Sequence, residues 1–146
     1  MTAEELWTKF VRENDVKDCE YESWAFGMEA DMLANLVLIG EKTCTSSAYP
    51  LYAFAGEELP KAGEYSVILD SKDNAVCVIE TTNVAIVPFS QATADYAYKE
   101  GEGDKTLEYW KEIHTKFFTN EMRSVGLEFD DDMKVVFEEF RVVGKP

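Results

Sequence analysis

The chain is poor in the residues that hold metals and disulfides. It has one histidine, His114, and three cysteines, Cys19, Cys44 and Cys77. Three is an odd number, and no pair of them has the C-x-x-C spacing of a zinc or redox motif. The thiols therefore read as reduced, two of them as core fillers. A zinc or copper site needs several His or Cys ligands, so no transition metal is expected. The segment EGEGD at 100–104 imitates the start of a calcium loop. It fails at Lys105, where the loop needs glycine, and at Lys111, where it needs a bidentate glutamate. No metal and no cofactor is expected. Long apolar runs are also missing: nothing approaches the ~20 residues that span a bilayer. The opening MTAEELWTKF carries acids where a signal peptide carries bases. These absences imply a cytoplasmic protein with no membrane partner.

Positive charge is scarce too. Lys and Arg number 14 against 29 Asp and Glu, for a net charge of −15. Proteins hold nucleic acids largely by displacing counterions with Lys and Arg, so this balance disfavours RNA as a partner. The one locally basic stretch holds Lys105, Lys111, Lys116 and Arg123, and Glu108, Glu112 and Glu121 interleave with it. That is thin for a polymer. An uncharged small molecule or nucleoside meets no such penalty. Self-association is left open.

What is present suffices for a core. The chain has 146 residues, 46% hydrophobic and 13% aromatic, which suits a single domain over 1–146. Thr2 and Glu5 form a capping-box signature, and Leu6, Phe10 and Val11 continue it as a helix over 2–13. A second helix is expected over 31–40, ending at Gly40. Residues 65–69 and 75–87 are rich in β-branched side chains around a polar turn at 70–74, a hairpin. Because 75–79 is apolar on both alternating faces, that strand is expected to be buried on both sides, as in a small barrel. A helix over 105–123, capped by Asp104, and a strand over 133–143 complete the pattern. This mixed order of helices and mostly antiparallel strands is α+β.

The chemistry concentrates in LVLIGEKTCTSS, residues 36–47. Lys42 follows the helix end, and Thr43, Thr45, Ser46 and Ser47 supply hydroxyls. Extended chain would place Thr43, Thr45 and Ser47 on one face and Cys44 and Ser46 on the other. A hydroxyl attacks only when a base takes its proton, and a lysine is such a base only where burial lowers its pKa. A solvated lysine beside a polar strand is the plainer account.

The G-x-K-T-x-T junction at 40–45 resembles the signature of ASCH domains, a family with a PUA-like β-barrel. LPKAGEYSVILD (59–70), VCVIETTNVAIVPF (76–89) and AYKEGEGDKTLEYWKEIHTKFF (97–118) extend the resemblance to one bacterial branch, over roughly residues 24–142. The resemblance implies a small mixed or antiparallel barrel flanked by helices. It also implies one of two functions: RNA or nucleotide binding tied to translation, or amide hydrolysis on N-acylated cytidine. In hydrolytic members a lysine, a threonine and a later glutamate form the active centre. Here they fall on Lys42, Thr45 and Glu102, with Glu100 nearly as good. Such members tend to carry an arginine two residues past the threonine, where this chain has Ser47.

Other residues compete for a place in the site. Glu80 lies within an apolar strand and must face solvent, a partner or a cavity. His114 and Trp110 are one helical turn apart, as core residues or as pocket walls. Tyr49, Tyr52 and Phe54 either pack or stack a flat ligand. Thr43 and Ser47 are expected to share the pocket face with Thr45. Cys44 as a nucleophile, with Lys42 lowering its pKa and His114 as base, is the rival mechanism.

Overall fold

A computed structural model of the chain describes every residue except Asp18. Helix α1 (Ala3–Asn14) starts at the capping box: the Glu5 amide donates to Thr2 Oγ1 at 3.1 Å, and the Thr2 amide to Glu5 Oε1 at 3.3 Å. Strand β1 (Glu22–Ala25), helix α2 (Ala30–Leu38), strand β2 (Cys44–Ala48) and helix α3 (Tyr49–Ala55) follow. The hairpin is β3 (Tyr65–Leu69) and β4 (Ala75–Pro88). Helices α4 (Ala94–Glu100) and α5 (Leu107–Ser124) then precede the last strand, β5 (Lys134–Gly144). Among the described residues, no helix is long and apolar enough to cross a membrane.

The strands form one sheet in the order β1-β3-β4-β5-β2, with β1 parallel to β3 and the other pairs antiparallel. The 14-residue β4 is its spine. It pairs with β3 through its first half and with β5 along most of its length. Its register with β5 slips at Val78/Ile79 and again at Thr81/Asn83. Such irregularities bend a strand and increase its twist, so the sheet curls into half a barrel with β1 and β2 as its edges.

The expected double burial of the hairpin has a concrete cause. Val67, Leu69, Ala75 and Val78 pack with Leu6, Trp7 and Phe10 of α1. Ile68, Cys77 and Ile79 pack with Ala34 and Val37 of α2. A third cluster joins α5 to the other half of the sheet, with Trp110, Phe118, Met122, Phe89, Val135 and Phe137. Phe118 is fully buried there, so Phe118→Ala is expected to cost about 3–5 kcal/mol. A urea unfolding midpoint checks this.

Four elements differ from expectation. The cap of α5 is Thr106, whose side chain accepts from the Tyr109 amide. Asp104 braces that cap instead, accepting from the Thr106 amide and hydroxyl at 3.0 and 2.6 Å. Helix α3 buries none of its residues completely, so it has no strong apolar stripe. Helix α4 and strand β1 are too short for periodicity to mark, although Thr93 caps α4 by accepting from the Tyr96 amide.

Candidate functional site

Lys42 is set in place by the end of α2. The Glu41 and Lys42 amides both donate back to the Leu36 carbonyl, at 2.9 and 3.0 Å, which turns the chain before it enters β2. From the other side the α4–α5 loop presses against the same backbone. Gly101 has φ of +73°, and a Cβ there would sit 2.8 Å from the Glu41 carbonyl carbon and 3.2 Å from Lys42 Cα. This close approach aligns Glu100 and Glu102, on either side of Gly101, with the lysine.

The Lys42 side chain is 1% exposed. Its ammonium donates to Glu102 Oε2 at 3.0 Å, to Glu100 Oε1 at 3.3 Å and to the Glu100 main-chain oxygen at 3.3 Å. The Phe26 ring lies 5.4 Å away. Burial opposes the charge, but the two carboxylates outweigh it, and the amine is held above its ordinary pKa. Lys42 is therefore an ammonium and not a base.

Glu100 is the inner carboxylate of the pair. Its Oε2 accepts from Ser46 Oγ at 2.9 Å and from the Trp110 indole N–H. His114 Nε2 lies 3.7 Å from Glu100 Oε1. Because a carbonyl only accepts, the 2.9 Å contact of His114 Nδ1 with the Trp110 carbonyl places a proton on Nδ1. Nε2 then faces the carboxylate. Glu102, the outer carboxylate, has a side chain 13% exposed.

A cavity of about 1070 Å³ opens beside this network, between the edge strands β1 and β2. Lys42, Thr45, Ser46, Ser47, Glu100, Glu102 and His114 reach its wall. Thus Lys42, Thr45, Glu102, Ser47 and His114 come together as the sequence suggested. The Ser47 hydroxyl pairs with the Tyr52 hydroxyl at 2.7 Å. Since β2 is an edge strand, the cavity wraps around it and takes up Ser46 as well as Thr45. The expected strict alternation holds only for Cys44, which is buried in the α5 core.

Four expected lining residues lie elsewhere. Side-chain alternation buries Ile79 and Thr81 and sends Glu80 to the other face, where it accepts from Arg141 at 2.7 and 3.1 Å. Thr43 fastens the loop to α4, its amide donating to the Lys99 carbonyl at 2.7 Å. Tyr49 begins α3 and carries the Lys134 ammonium 5.6 Å from its ring. Trp110 stands behind the wall, stacked between Phe89 and His114 at 5.2 and 4.3 Å. Sequence reasoning overlooked Thr81, Ser66 and Glu138, which also line the cavity. Their signal was a polar residue inside an apolar strand.

Cys44 does not suit nucleophilic chemistry. Burial and the nearby Glu100 push its thiol well up, which keeps it protonated. Glu100, Glu102 and His114 offer donor atoms within 4.8 Å of one another. The ammonium of Lys42 already contacts both carboxylates, so a metal ion there would have to displace it.

Residues 22–144 match the ASCH domain family. A solved ASCH domain from Lactobacillus crispatus is 35% identical, covering 97% of this chain and 91% of that one, with a TM-score of 0.87. A solved protein from Enterococcus faecalis is also 35% identical, covering 98% and 88%, with a TM-score of 0.91. The ASCH protein of Zymomonas mobilis shares the fold at 10% identity and a TM-score of 0.54, covering 86% and 68%. A search of curated proteins finds no match. The chain belongs to the ASCH domain family.

Proposed function

We propose that the cavity binds a nucleoside-like small molecule and hydrolyses an amide on it, with N-acylated cytidines as the substrate class. The observation that carries this reading is a desolvated ammonium, an outer carboxylate and a threonine on the wall of one cavity. The ammonium of Lys42 is placed to stabilise the oxyanion that forms when the acyl carbon is attacked. Thr45 or a water supplies the attacking oxygen. Glu102 takes its proton and returns it to the departing amine nitrogen, leaving amine and carboxylic acid after water has reacted. Glu100, fixed by Ser46 and Trp110, positions Lys42. A cytoplasmic setting agrees with three unpaired thiols.

Thr45→Ala and Glu102→Gln are each expected to lower kcat/KM on an N-acylated cytidine by on the order of 10²–10³. Thr45→Ser should keep part of the activity if the hydroxyl is the attacking group, and Cys44→Ala should be nearly neutral. Because Lys42 stays charged through neutrality, no rise in rate between neutral and mildly alkaline pH should depend on it. A profile that tracks deprotonation of Lys42 would restore the lysine to the role of base.

One observation favours a silent binding module instead. Among the described residues, no buried side-chain nitrogen or oxygen lacks a partner, so the Lys42 network is complete without a ligand. Acylated nucleosides that raise the melting temperature without being hydrolysed would establish that reading. RNA as its ligand is opposed by the net charge of −15.

A further inference from the structure

Lys42 is the only lysine or arginine among the described residues that line the cavity, and Glu100 and Glu102 already face it. Elsewhere on the wall the charge is uncompensated. Glu138 stands on β5 opposite Thr45 in the β2–β5 register. Its Oε2 accepts from the hydroxyl of Thr81, itself only 2% exposed, at 2.7 Å. That bond orients the carboxylate and draws on one of its two oxygens. Glu22 and Glu64 line the same cavity.

We propose that this cavity admits only ligands without a phosphate or other anion, and that Glu138 is the residue that selects them by accepting from a hydroxyl or ammonium group of the ligand. The inference rests on the cavity being the nucleoside site and adds which chemical form enters: the free nucleoside, or a cationic analogue, and not the nucleotide. A carboxylate set among other carboxylates repels a phosphate. The same carboxylate gains from a ribose hydroxyl, and more from an ammonium. Burial, together with Glu22 and Glu64, raises the pKa of Glu138, so its charge is costly there and a donor on a ligand relieves that cost. The register supplies the geometry, because a ligand whose acyl group lies against Thr45 lies across the strand pair from Glu138.

The test compares three ligands on the intact protein by calorimetric titration. They are an N-acylated cytidine, its monophosphate, and an analogue with an ammonium in place of the primary ribose hydroxyl. The nucleoside is expected to bind at least about tenfold more tightly than the monophosphate, and the ammonium analogue at least as tightly as the nucleoside. Glu138→Gln keeps the shape and an acceptor for Thr81 while removing the charge. It should narrow the monophosphate penalty and abolish any advantage of the ammonium. A wild-type protein that binds the monophosphate as well as the nucleoside overturns charge selection and leaves the nucleoside site standing. A Gln variant that keeps the full wild-type ranking removes Glu138 from the role. If none of the three binds, the nucleoside reading fails and this inference fails with it.

Discussion

Replacing Lys42 by methionine is expected to destabilise the protein by about 3–5 kcal/mol, because Glu100 would keep its burial and lose its cation. Glu100 is 1% exposed, so water cannot take the place of the ammonium without opening the loop. Adding Glu100→Gln to Lys42→Met should recover much of the loss, since the one carboxylate then left without its cation is Glu102, the more exposed of the two. Urea unfolding of the wild type, both single variants and the double variant measures the coupling. Equal, additive losses would show that the two groups do not act as a pair. The pH dependence follows with its sign. Lys42 has a folded pKa above its ordinary value, so its stabilising contribution is complete below about pH 10.4. It is lost as the pH rises through the folded value, and Lys42→Met should remove that alkaline loss.

Gly101→Ala is expected to disrupt the site from a position that carries no functional group. At φ of +73° any side chain is strained, by roughly 1–2 kcal/mol. Gly126, at φ of +77°, would meet only that strain, because a Cβ there has nothing within 4 Å. At Gly101 the Cβ also collides with the Glu41 carbonyl, which is backbone and cannot swing aside. The loop must lift, and Glu100 and Glu102 lift with it. The measurement is the melting temperature of both alanine variants beside turnover of the N-acylated cytidine proposed as substrate. Gly101→Ala should lose clearly more stability than Gly126→Ala, and should lose turnover as well. Equal effects at the two glycines would mean that the loop does not depend on this contact.

The two effects share a cause: the site is assembled from segments far apart in the chain. Lys42 meets Glu100 and Glu102 across 58 and 60 residues of sequence. Thr81 meets Glu138 across 57. The network holds its geometry through the packing of α4, α5 and β2 around Trp110 and Cys44. Damage to that packing should therefore appear in the site as well as in stability.

Local rules were enough for much of this protein. The Thr2–Glu5 box, the β-branched runs of β3 and β4 and the apolar stripe of α5 are short-range patterns, and each became the element it suggested. The G-x-K-T-x-T junction marked Lys42 and Thr45 by resemblance. What the sequence alone could not decide was direction and partnership. Glu80 and Glu138 are both glutamates inside apolar strands, yet alternation and two register slips send Glu80 to Arg141 on the surface and Glu138 into the cavity. Lys42 could have been a base or an ammonium. The choice depended on whether burial or neighbouring carboxylates prevail, and two carboxylates brought in by a glycine turn decided it for the ammonium. Such outcomes depend on distances between remote residues, which only the folded chain sets.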